Sequence, residues 1–157
     1  DSIDPGQHLI KLERQSDIEN AYWNFNKLVT FEKGTNVVVS YNIGPSEVFS
    51  EGHIIYAVNK EDTKAQTTIN VNLNTEGFNI QFDSLPFEKV SFNEYTSLLD
   101  LSRQHSIKLN KTGYEQLDFV ILPSSQEERD KLVNYDINIE AHLMYQPVNV
   151  EDVSLAE

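Results

Sequence analysis

The 157 residues carry 25 acidic against 12 basic side chains, a formal net charge of −13, and no cysteine. Charge of that sign is repelled by phosphate backbones and anionic lipid surfaces, which argues against a nucleic-acid partner, and the missing thiols exclude disulfides, thiolate metal sites and cysteine nucleophiles. The length suits a single domain spanning 1–157, in which 39% apolar residues, eight Phe and seven Tyr among them, suffice for a core without metal or cross-link.

In chain order, His8–Leu12 is a short candidate strand, with Leu9 and Lys11 on one side and Ile10 on the other. Ser16 and Glu19 then stand at capping-box spacing, and Ile18, Tyr22, Phe25 and Val29 follow at helical spacing, which predicts a first short helix with Trp23 in its apolar stripe. From Asn36, Val37, Val39, Tyr41 and Ile43 alternate with Ser40 and Asn42 in a strand, and His53–Val58 reads as another. Ile69, Val71 and Leu73 alternate with Thr68, Asn70, Asn72 and Asn74. After a turn at Thr75-Glu76-Gly77, Phe78, Ile80 and Phe82 alternate with Asn79, Gln81 and Asp83. These two runs read as a hairpin over 66–83, one face buried and one wet.

Glu88–Ser91 is a short strand, and Ser91 with Glu94 repeats the capping signature before Tyr95, Leu98 and Leu99, predicting a second helix. Ser106–Leu109 and Glu115–Leu122 are strands, and Ser125 with Glu128 opens a third helix before Leu132. Tyr135, Ile137, Ile139, Ala141 and Leu143 alternate with Asp136, Asn138, Glu140 and His142 in the last long strand. Gly34, Gly44, Gly52, Gly77 and Gly113 fall between these elements as turn residues. Eight or more strands with two or three short helical insertions predict a mainly β chain, a two-sheet antiparallel β-sandwich of the jelly-roll or immunoglobulin-like kind.

Local motifs for chemistry are missing. The glycines are too widely spaced for a phosphate loop, and neither G-x-S-x-G nor H-E-x-x-H occurs. His142 shares a strand face with Glu140, a pair able to ligate a metal or move a proton, although such a pair is more often a solvated couple on an exposed strand face. Glu61-Asp62 and the Glu127-Glu128-Asp130 group lack the close loop spacing of a calcium site, and acids opening a helix complement its dipole. Asn110-Lys111-Thr112 matches a glycosylation acceptor, as chance allows in an Asn-rich chain. No run is long and apolar enough to span a membrane, and no cofactor or metal is implied.

The expectation is therefore a structural or adhesive β-sandwich that works through protein–protein contact, with self-assembly into a surface layer or fibre as one form, and not an enzyme. A start at Asp1, without Met or an apolar leader, and strand surfaces rich in Asn, Thr and Ser point to a secreted or cell-surface location. Leu9, Ile10 and Lys11 form the candidate assembly strand, to be laid along an open sheet edge of another subunit. The alternative is a glycan- or small-ligand-binding module, with Thr68, Asn70, Asn72, Asn79 and Gln81 as its amide-rich contact face.

Overall fold

The computed structural model describes residues 2–61 and 66–147. Strand makes up 48% of the described residues and helix 6%, so the protein is mainly β. The strands are β1 (Gly6–Leu12), β2 (Phe25–Phe31), β3 (Val38–Asn42), β4 (Glu51–Asn59), β5 (Thr68–Leu73), β6 (Phe78–Phe82), β7 (Glu88–Val90), β8 (Glu94–Leu98), β9 (His105–Asn110), β10 (Leu117–Ile121) and β11 (Tyr135–His142). A 3-10 turn at Glu47–Phe49 and one α-helix, α1 (Gln126–Asp130), complete the described elements.

They form a five-stranded sheet ordered β3-β4-β11-β5-β8, a four-stranded sheet ordered β10-β9-β6-β7 and a two-stranded ribbon of β1 and β2. Period-two alternation decides what each sheet buries. Ile69, Val71 and Leu73 of β5 with Ile137, Ile139 and Ala141 of β11 join Phe78 and Ile80 of β6, Ile107 and Leu109 of β9, and Leu117, Phe119 and Ile121 of β10 in one core. Full burial of side chains such as Ile69, Ile107 and Ile139 contributes about 1.5–3 kcal/mol each.

On the other face of β3 and β4, the ribbon lays Phe25, Val29, Ile10 and Leu12 over Val39, Tyr41 and Ile54 as a second cluster. Strand β4 is thus covered on both sides, and its run Ile54-Ile55-Tyr56-Ala57-Val58 is apolar throughout for that reason.

Several expectations are corrected. The 66–83 hairpin does not form: β5 and β6 lie in different sheets, because their apolar residues face one another across the same core. The connection at Thr75-Glu76-Gly77 steps from sheet to sheet. Nor is the arrangement wholly antiparallel, since β11 pairs β5 in parallel. The segments predicted as the first two helices contain β2 and β8. Phe25 and Val29 are four residues apart, an even spacing that shares one face in a strand as well as in a helix, and pairing with β1 decided between them.

The third helix is present as α1. Gly52 is no turn residue; it sits inside β4, where a side chain would strike the backbone of Ser40 and Tyr41. The candidate assembly strand pairs along its whole length with β2 of its own chain, Ile10 toward the five-stranded sheet and Leu9 outward opposite Leu28.

Candidate functional site at the loop end

Strand register sorts the connections into two ends. Asn42, Glu51, His142 and Leu73 stand together at one end of the five-stranded sheet, and Phe78, Asn110 and Leu117 at the same end of the four-stranded one. The 43–50, 74–77, 111–116 and 143–147 segments therefore meet there, from both sheets, as binding loops do on a rigid scaffold.

Backbone bonds lock them to one another. Tyr145 N–H donates to Val48 O at 2.8 Å, Gln146 N–H to Gly113 O at 3.0 Å and Glu115 N–H to Met144 O at 2.9 Å. Asn74 exchanges two side-chain bonds with the backbone of Leu143, at 2.8 and 3.0 Å. Gly44 lies against Phe49 O so closely that no Cβ fits, which turns the 43–50 loop back on itself.

This framework presents aromatic rings to solvent. Phe49 is 41% exposed and Tyr145 43% exposed, and the two stack edge to face at 6.5 Å between centroids. Tyr145 meets Tyr114 in the same way at 4.9 Å. Lys111 donates to Thr75 Oγ1 and Glu76 O, both at 2.6 Å, with its ammonium 5.4 Å from the centre of the Tyr114 ring. A hydrogen bond from Thr75, then one from Tyr145, holds the Tyr114 phenol below its ordinary range; the Tyr114 bond raises Tyr145.

Beside the rings, where β4 faces β10, stand Glu51, His53 and Glu115. His53 is 8% exposed and stacked on Phe119 at 4.3 Å. Its Nδ1 and the Oε2 of Glu51, two residues away on the same face of β4, are sealed from solvent and have no hydrogen-bond partner. Burial, then the nearby Glu115 carboxylate, pushes Glu51 above the usual carboxylate range, and burial pushes His53 below the usual imidazole range. Both shifts favour the neutral forms. Buried atoms left unpaired in this way are uncommon, and two on one strand face call for an explanation.

The residues named from the sequence are not brought together. Thr68, Asn70 and Asn72 lie on the outer face of the five-stranded sheet, Asn79 and Gln81 on the outer face of the other sheet, on opposite sides of the molecule. Three of their amides are already engaged: Asn70 donates to Asn138 Oδ1 at 3.0 Å and accepts from Thr96 Oγ1 at 2.9 Å, Asn79 donates to Asn110 Oδ1 at 3.0 Å, and Gln81 to Leu85 O at 2.8 Å.

Glu140 and His142 also turn to separate partners. Glu140 accepts from Tyr56 Oη at 3.2 Å and lies 3.9 Å from Lys27 Nζ. His142, 7% exposed and stacked on Trp23, donates to Glu47 O at 2.9 Å, so it is no solvated couple. Asp62 and 149–157 lie outside the described residues. Among the described residues no group of three His, Cys, Asp or Glu is arranged to hold a metal, and no helix is long and apolar enough to cross a membrane.

Sequence reasoning missed Phe49, Tyr114, Tyr145 and the Glu51–His53–Glu115 group. The available signal was aromatic residues beside turn residues, Gly44-Pro45 before Phe49 and Gly113 before Tyr114, where a buried role is least expected. Comparison with protein-family models, curated proteins and solved structures found no match.

Proposed function

We propose that this chain is an extracytoplasmic adhesive β-sandwich that acts by contact with a protein partner through its loop end, and not by catalysis. The sandwich reading rests on the single core shared by the five- and four-stranded sheets. The observation that carries the function is the exposed Phe49–Tyr145–Tyr114 cluster, held by loops bonded to one another. Aromatic rings on a rigid support supply large contact area at low entropic cost, which is why they dominate protein interfaces. Polar strand faces rich in Asn and Thr suit a location outside the cytoplasm. Two copies at −13 repel one another, so the contact is with a second protein before it is with the chain itself.

The test is to probe a protein array, on which the chain itself is also spotted, and a glycan array with labelled chain and with a Phe49→Ser/Tyr145→Ser variant. Specific protein signals lost in the variant are expected. Signals on the glycan array alone, or none anywhere, would overturn the contact reading. Binding confined to the chain itself would replace a separate partner with self-assembly.

A further inference from the structure

Resting on that contact reading, we infer that the seam between β4 and β10 at the loop end receives a lysine or arginine head group from a basic segment of the partner protein. Two buried atoms there have no partner, Glu51 Oε2 and His53 Nδ1, and the Glu115 carboxylate lies near enough to Glu51 to disfavour its charge. The nearest cation in sequence, Lys111, is committed to Thr75 and Glu76. What the site lacks is a donor-rich, positively charged group.

An ammonium carries three N–H donors and a guanidinium five, with no acceptor to be left over. A sugar hydroxyl would also donate, but it brings an acceptor and no charge, so two neighbouring carboxylates would stay unrelieved. The aromatic rim suits the same guest, since cations lie favourably on phenyl and phenol faces, as Lys111 does on Tyr114. The net charge of −13 steers basic segments toward the whole molecule. Because Oε2 and Nδ1 are sealed from solvent, entry requires rotation of the Glu51 side chain, which has three torsions to do it with.

The experiment is a titration of the isotopically labelled chain with pentalysine and pentaarginine, followed by amide NMR, with pentaglycine and a neutral trisaccharide as controls. Saturable shifts confined to 49–53, 113–116 and 143–146 are expected, with affinity falling about tenfold or more in Glu51→Gln/Glu115→Gln, as for loss of a desolvated charge partner. The charge-matched Glu127→Gln/Glu128→Gln, at the far end on α1, should bind as wild type. Well-dispersed spectra of both variants exclude a folding artefact.

Shifts spread over the acidic surface, equal loss in both variants, or a response to the trisaccharide alone would overturn the cation assignment. If protein-array signals persist in that case, only this inference fails. If they too are absent, the contact reading fails with it.

Discussion

His53 and His105 are buried almost equally, at 8% and 7% exposed, and each lies near carboxylates, yet they stand at opposite ends of the sheets and differ in their hydrogen bonding. His105 Nδ1 donates to Asp83 Oδ2 at 2.9 Å and its Nε2 faces Asp100 O at 2.7 Å. Asp83 also accepts from Arg103 at 2.9 Å and from Ser106 N–H at 3.0 Å. Nearby, Arg129 ties down Pro123 O, Ser124 O and Gln126 Oε1 at 2.6–2.8 Å. The closed end pairs most of its polar groups, Arg129 Nε and Thr68 Oγ1 excepted, whereas at the loop end two unpartnered atoms, His53 Nδ1 and Glu51 Oε2, lie on one face of β4. Burial alone therefore does not mark a site; two unpartnered buried atoms on one strand face, beside a further carboxylate, do.

If that contrast is right, substitutions at the closed end should lower stability and leave binding alone. The largest effect is expected for Arg129→Met, which keeps the packing of the buried stem and strips three hydrogen bonds, to the carbonyls of Pro123 and Ser124 and to Gln126 Oε1. A loss of about 2–3 kcal/mol in urea unfolding follows from losing charge-assisted bonds that tie this segment together, water replacing them only in part. A loss under about 0.5 kcal/mol, the usual size for an uninvolved surface site, would show that the end is not closed by Arg129.

Asp83→Asn should come next, at about 1–2 kcal/mol after solvent screening, since the side chain keeps 23% exposure. Asp83 has φ +49°, a conformation Asn tolerates, so the change removes charge and not backbone fit. Burial would raise this carboxyl, but hydrogen bonds from His105, Arg103 and Ser106 outweigh it and hold the group at about 2, against an ordinary 3.8. With the folded value depressed, the stabilisation is present above the ordinary value and is lost as pH falls from there toward about 2. Melting temperatures across that window should therefore converge for wild type and variant. Parallel curves would show that the carboxylate charge is not what holds the end together.

The alternation of apolar residues announced most strands directly, and Val37, Val39, Tyr41 and Ile43 all face one cluster as their spacing demands. Sheet membership was not legible, because Thr75-Glu76-Gly77 is a good turn whether the next strand pairs with the last or crosses to the opposite sheet. Strands β2 and β8 were obscured by capping signatures and four-residue spacings that both periods share. The loop end was illegible for a different reason. Its rings and acceptors come from four segments spread between residues 49 and 145, and only the register of β4, β10 and β11 brings them to one place. Local sequence pattern carries no information on such tertiary convergence.

The smallest expected effect has the opposite sign and bears most directly on the loop end. Glu51 titrates above its ordinary value in the folded chain, so holding it ionised at neutral pH costs stability that the protonated form would not. Glu51→Gln should therefore stabilise the protein at pH 7, by less than about 1 kcal/mol because the residue as a whole is only partly buried, although its Oε2 is sealed. The gain should shrink as pH falls through the ordinary carboxyl value of 4.5 and vanish below it, where Glu51 is protonated both folded and unfolded. Thermal melts of the two proteins at neutral and acidic pH measure the difference. A variant that melts lower at neutral pH would mean that the carboxylate is already answered within the chain, and the distinction between a closed end and an open one would collapse. A variant that melts higher and binds basic peptides less tightly would tie both effects to one group, destabilising while the site is empty and relieved when a cation fills it.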